Sequence, residues 1–233
     1  MHIALLGCDD VPQRFRHIAG GYRDMFQALL EPHVPHLTLD WIDLYHGQVP
    51  SAPSTFDAIV CTGSRCSVYE EKDWIQRLKT FVQEVRREDV PFVGVCFGHQ
   101  MLAEALGGKV ERAGYGWGIG VHEMQILRPE RWMTPEHTQC SLQYMHADQV
   151  QNMPPDSTLL ASAAHCPVAM FRVGERMLGI EGHPEFPAAY EEALLRDRRE
   201  KIGADRVDAA LATLRDPTDE RLVGAWMANF LRR

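Results

Sequence analysis

Between Pro91 and Gln100 the chain reads Pro-Phe-Val-Gly-Val-Cys-Phe-Gly-His-Gln. Phe92–Val95 has the apolar, β-branched character of a buried strand, and Met101–Leu106 continues with a helical pattern. A strand that feeds directly into a helix must turn sharply. Gly94 and Gly98 flank Cys96 where a Cβ would crowd that turn. Gly-x-Cys-x-Gly is the spacing of a nucleophile elbow with cysteine at its apex. Such a turn strains the apex residue. It sets the sulfur at a helix N-terminus, where the dipole and free N–H groups favour a thiolate.

The rest of the first half fits the same α/β plan. Apolar runs at His2–Leu6, Leu37–Leu44 and Ala58–Cys61 alternate with helical patterns at Tyr22–Leu30 and Trp74–Arg87, the signature of βαβ units and a parallel sheet. In the second helix Trp74, Leu78, Phe81, Val82 and Val85 recur at helical spacing, as a core-facing stripe does. After Gly107-Gly108 shorter strands are expected at Val110–Arg112, Gly118–Leu127, Ser141–His146, Thr158–Ala161, Val168–Phe171 and Met177–Glu181. Helices return at Glu191–Lys201, Ala204–Leu214 and Glu220–Leu231, with Asp216-Pro217 breaking the last two apart. No repeat or linker divides the chain, so one domain over residues 1–233, with a helical C-terminal extension from about 187, is expected.

Composition narrows the function. With 24 Lys+Arg against 32 Asp+Glu the formal charge is −8, which argues against nucleic-acid or membrane-surface partners, because those reward cationic clusters. The one basic stretch, Arg196-Asp197-Arg198-Arg199-Glu200-Lys201, is interrupted by acids and reads as a solvated helix face. No apolar run reaches membrane-spanning length, and Met1–Gly7 lacks the features of a signal peptide. Six cysteines form no Cys-x-x-Cys pair, the usage expected of reduced thiols in the cytoplasm. Spacing excludes the common metal and nucleotide motifs. His122-Glu123 has no second histidine at helical distance, His33-x-x-His36 lies in a Pro-rich loop, and Gly114-x-Gly116-x-Gly118 does not open a helix. Neither a metal nor another cofactor is expected.

A cysteine nucleophile needs a base, and the base an orienting group. In Gly179-Ile180-Glu181-Gly182-His183-Pro184-Glu185 a strand ends in a turn that proline stiffens, so His183 and Glu185 can project together. Gly-x-Cys-x-Gly-His-Gln followed far downstream by Gly-His-Pro-Glu resembles the class I glutamine amidotransferases. Thr62-Gly63-Ser64 is similar to that family's oxyanion loop. His146-Ala147-Asp148-Gln149-Val150 is similar to its His-x-Asp motif, with Met153-Pro154 and Leu159–Ala161 following in order. The resemblance implies a flavodoxin-like class I glutaminase fold: a central, mostly parallel sheet with flanking helices and a helical C-terminal cover. It implies a Cys96–His183–Glu185 triad, an oxyanion hole from the N–H groups of Gly63 and Phe97, and Gln100 and Asp148 holding a γ-glutamyl substrate. The reaction implied is hydrolysis of a γ-glutamyl amide through a thioester.

The chain departs from the family where Glu181 and Gly182 replace a glutamine and an aromatic residue before His-Pro-Glu. The loss of an aromatic side chain is expected to enlarge the pocket beside the histidine, and Gly-His-Pro-Glu is closer to stand-alone members similar to plant γ-glutamyl peptidases. Two uses compete: a free-standing peptidase of small γ-glutamyl compounds, and a glutaminase that passes ammonia to a synthetase partner on another chain. A catalytically silent binding or regulatory member is the rival from another class. Arg65 could meet a substrate carboxylate, while Tyr115 and Trp117 are expected to pack on the sheet.

Overall fold

Strand β1 (His2–Gly7) pairs in parallel with β2 (Thr38–Asp43) on one side and β3 (Ala58–Cys61) on the other. The chain thus crosses to one side of β1 and then to the other. A crevice opens at the carboxyl ends of strands at such a switch point. In this computed structural model, which describes residues 1–233, the parallel set continues through β4 (Phe92–Val95) to β11 (Met177–Ile180). Beyond β11 the nine-stranded sheet turns antiparallel, through β10 (Cys166–Val173), β9 (Ser157–Ala163), β6 (Gly118–Ile126) and β7 (Gln139–His146). A separate ribbon pairs β5 (Lys109–Arg112) with β8 (Asp148–Asn152).

Alternate residues of the parallel strands go to opposite faces, as the period of a pleated strand dictates. Ile3, Leu5, Val60, Val93 and Val95 pack in one apolar cluster with α2 (Tyr22–Leu30), α5 (Ala188–Asp197) and α8 (Glu220–Leu231). Ala4, Leu6, Ile59, Cys61 and Phe92 pack in the other with α3 (Asp73–Arg87) and α4 (Phe97–Ala105). The expected stripe of α3 is buried, with Ile75 added to it. Three short or late helices complete the set: α1 (Arg16–Ala19), α6 (Arg199–Ile202) and α7 (Ala204–Thr213).

Two segments differ from the sequence reading. The helix expected at Glu191–Lys201 begins earlier, behind Pro187, and is interrupted at Arg198 (φ −96°, ψ 8°). Proline suits a helix start because it lacks an N–H that the first turn would leave unbonded. Strand β8 was not expected at all. Its sequence Asp-Gln-Val-Gln-Asn carries a single apolar residue, and its pairing comes from β5, far away in sequence.

Candidate active site

The carboxyl ends of β1, β3, β4 and β11 meet at one place. Cys96 follows β4 directly and caps α4 with φ 51° and ψ −103°, a region that costs a non-glycine residue on the order of 1–3 kcal/mol. Its N–H donates to Ile180 O at 2.8 Å, fixing the turn to the end of β11. The flanking glycines are required by crowding. A Cβ on Gly98 would lie 2.5 Å from Cys61 O, and one on Gly94 would run into the Gly98 backbone.

His183 and Cys96 meet at Gly63. A Cβ built on that glycine would be 3.0 Å from His183 Cε1 and 3.7 Å from Cys96 Cβ. The Gly63 N–H has no partner within the chain, while the Thr62 hydroxyl donates to Gly63 O at 3.1 Å and accepts from Cys8 N–H at 3.0 Å. The loop at Gly63 is therefore held from behind with its amide free. The Phe97 N–H acts on the Cys96 sulfur and lowers its pKa.

The imidazole of His183 is fixed on three sides. Nδ1 lies 2.8 Å from Glu185 Oε1, the contact in which an Nδ1 proton is donated to the carboxylate and Nε2 is left without one. Phe186 stacks on the ring at 3.9 Å and 10°. The His183 N–H donates to Gln143 O at 2.7 Å, and the Gln143 amide donates to Phe186 O at 2.8 Å. Gln143 thus clamps the turn from both ends. It lies in β7, distant in sequence, and no local motif marks it. His183 Nε2 has no partner within the chain.

Electrostatics at Cys96 oppose the helix N-terminus, which was expected to favour a thiolate. Burial pushes the Cys96 thiol up, the carboxyls of Glu181 and Glu185 add to the rise, and the Phe97 N–H offsets it only in part. The helix N-terminus acts in the expected direction but is outweighed. Glu181 lies wholly inside, close to Cys96. Gln100 Nε2 donates to its Oε1 at 2.9 Å, and His99 Nε2 and His146 Nδ1 stand 3.4 and 3.7 Å from its oxygens. Burial raises Glu181 well above the usual carboxyl range, against hydrogen bonds from Gln100 and Cys96. Burial also lowers His99 to about 3 and His146 to about 4. Both imidazoles are therefore neutral at neutral pH.

A cavity of about 470 Å³ opens above Cys96, also lined by Gln100, Asp148, Cys66, Trp117 and Arg198. Asp148 accepts from the Ser67 hydroxyl at 2.5 Å and from the Tyr69 hydroxyl at 3.1 Å. Gln100 also donates to Asp148 O at 3.0 Å. Three minor expectations change here. Arg65 is occupied, its Nε 2.8 and 2.9 Å from the two Asp9 carboxyl oxygens. Trp117 forms part of the cavity wall as well as packing on the core. Gly182 does not widen the pocket, because a Cβ there would lie 2.9 Å from Leu142 Cβ and 3.1 Å from Tyr144 Cζ. The space left by the missing aromatic side chain is filled from β7.

The sequence profile of the class-I glutamine amidotransferases matches residues 35–200. A glutamine amidotransferase-like protein of Schizosaccharomyces pombe is 26% identical over 99% of this chain and 98% of its own. Gamma-glutamyl peptidase 3 of Arabidopsis thaliana is 31% identical over 72% of this chain and 70% of its own. The crystal structure of a glutamine amidotransferase from Thermotoga maritima superposes with a TM-score of 0.76 at 19% identity, covering 99% of this chain and 96% of the other. With the profile matched over most of its length, the chain belongs to the class I glutamine amidotransferase family.

Proposed function

We propose that the protein hydrolyses γ-glutamyl amide bonds with Cys96 as nucleophile. The observation that carries this reading is the convergence of Cys96, at the strained apex of its turn, and His183, oriented by Glu185, on the unpartnered amide of Gly63. A family relationship alone gives no activity, so the reading rests on that geometry.

The steps follow from the groups present. As the Cys96 sulfur forms a bond to the γ-carbonyl carbon, its proton passes to His183 Nε2. A thiol held neutral by burial needs such a base at the moment of attack. The carbonyl oxygen becomes an oxyanion between the N–H groups of Gly63 and Phe97, whose preorganised dipoles favour it over the ground state. The carbon–nitrogen bond then breaks, and the departing amine takes the proton from Nε2. Water attacks the thioester, again giving a proton to His183. The carbon–sulfur bond breaks, glutamate leaves and the thiol regains its proton. Gln100 and Asp148, on the α4 and β8 side of the cavity, hold the glutamyl part. The six free cysteines support a reducing, cytoplasmic setting.

The test is a panel of glutamine and γ-glutamyl dipeptides incubated with the purified chain, with glutamate release followed by mass spectrometry. Release from the dipeptides that is abolished in Cys96→Ser is the expected result. Glutamine hydrolysis that appears only when a synthetase is added would instead favour the ammonia-delivering role. Inertness toward every γ-glutamyl amide, with or without such a partner, would contradict the reading.

A further inference from the structure

The charged residues around the cavity are not equally occupied. Arg65 is engaged by Asp9, and Arg14 lies 2.6 Å from Asp197. Glu70 meets Lys72 at 2.9 Å, and Asp148 is satisfied by Ser67 and Tyr69. Asp10 has Arg16 and His46 within 3.8 and 3.3 Å. Every lining carboxylate therefore has a partner within the protein, whereas three lining cations have no carboxylate partner: Arg112, whose register partner across the β5–β8 ribbon is Asp148, and Arg198 and Lys201, on the α5–α6 wall. The expectation of a solvated basic face holds for Arg196 and Arg199, which pair outward with Glu192 and Asp208. It fails for Arg198 and Lys201, which line the cavity.

Their position along the chain says which end of a substrate they face. Behind the cavity a stack of rings runs from His183 to Phe186, which stacks on it, and to Tyr190, which meets Phe186 edge-on at 4.8 Å and lines the cavity. From Tyr190 the cavity lining runs through Leu194 to Arg198, one residue per helical turn along α5. Lys201 follows in α6, its ammonium 5.5 Å from the centre of the Trp117 ring. The amine takes its proton from His183, so Arg198, reached from that ring through Phe186 and Tyr190, is the cation joined to the leaving-group side.

We infer that Arg198, aided by Lys201, binds a carboxylate on the leaving amine, so that the preferred substrates are γ-glutamyl amino acids or short γ-glutamyl peptides rather than glutamine. The inference rests on the hydrolase reading above, and it makes Arg198 a specificity determinant. An arginine fork matches a carboxylate with two parallel hydrogen bonds. Arg198 stands at the C-terminal end of α5, one turn beyond Leu194 and on the same face.

The test compares kcat/KM for γ-glutamyl-glycine and γ-glutamyl-glycinamide, which differ only in the carboxylate, in the wild type, Arg198→Ala and Arg198→Glu. The wild type is expected to prefer the acid by about tenfold, the scale of a hydrogen bond to a charged group. Arg198→Ala should erase the preference, and Arg198→Glu should reverse it. In the wild type, added salt should raise KM for the acid more than for the amide, since screening acts on the charged pair alone; this arm needs no variant to fold. Equal kcat/KM for the two in the wild type, or equal losses on both in Arg198→Ala, would overturn the subsite while leaving the hydrolase reading intact. Hydrolysis of neither compound by the wild type would overturn the hydrolase reading itself.

Discussion

The side-chain amide of Gln100 donates to the carboxyl of Glu181 across 2.9 Å, in a space closed to solvent and close to Cys96. Family members commonly carry glutamine where this chain has Glu181. The structure accommodates the acid by favouring its protonated form, since burial raises it well above the usual range. The groups around it, His99, His146, Gln100 and Cys96, carry no formal charge at neutral pH, and the charge of Asp148 pushes it further up.

Glu181→Gln should therefore be mild at neutral pH. Turnover near pH 7 is expected to stay within about threefold of wild type, because one uncharged hydrogen-bonding group replaces another. At alkaline pH the variant should retain more activity, having no carboxyl to ionise beside the thiol. Comparison of pH–rate profiles from pH 6 to 9 checks this. A large loss at pH 7 would show that Glu181 works as an anion.

His183→Ala is expected to lower kcat by at least about 10³-fold, the loss seen when a catalytic unit is disabled. Glu185→Gln should cost less, because Phe186 and Gln143 still hold the ring in place. The remaining loss comes from the tautomer, which a neutral amide no longer fixes. Steady-state kinetics of the two variants, with the fold checked by circular dichroism, gives the ordering.

Gly182→Phe separates a packing constraint from a specificity one. The contacts with Leu142 and Tyr144 leave no room for the ring, and overpacking a buried site typically costs about 1–3 kcal/mol. The expected outcome is a lower Tm and parallel losses on glutamine and on γ-glutamyl dipeptides. A selective loss on the dipeptides at unchanged Tm would restore the enlarged pocket that the sequence suggested.

Glu191 gives stability a dependence on pH. It is fully buried, with no side chain hydrogen-bonded to its carboxyl and only the Gly120 backbone N–H acting on it. Burial raises it to about 8, with Arg198 easing the shift in part. The unfolded carboxyl ionises near 4.5, so between about pH 4.5 and 8 the folded chain holds a proton the unfolded chain has lost. That contribution is fully present at acid pH and is lost as pH rises toward 8. Glu191→Gln should flatten the fall of Tm over this range and raise Tm at pH 8 relative to wild type. Parallel Tm curves for the two proteins would contradict the assignment.

Legibility in the sequence followed the range of the interaction. The elbow at Cys96 and the His183-Pro184-Glu185 turn are local, set by adjacent glycines and a proline, and both could be read directly. The strands Ala58–Cys61 and Phe92–Val95 and the helices Tyr22–Leu30 and Glu220–Leu231 occur with the expected bounds. Strand β8, the clamp by Gln143 and the pairing of Arg65 with Asp9 depend on partners distant in sequence. The effect of Gly182 was misread for the same reason, since Leu142 and Tyr144 arrive from β7. The thiol of Cys96 rises against the expected direction because a helix N-terminus is visible in the sequence and the burial that opposes it is not.

The central claim is that Cys96 carries the γ-glutamyl group during turnover. Cys66 gives the sharpest control, because it lines the same cavity, with Lys72 Nζ 3.1 Å from its sulfur. The measurement is acid quenching of a reaction with an isotope-labelled γ-glutamyl substrate, followed by peptide mapping. The account requires the label as a thioester on the peptide containing Cys96, and its absence in Cys96→Ser. Label on Cys66 or Cys61, or undiminished turnover by Cys96→Ser, would contradict it.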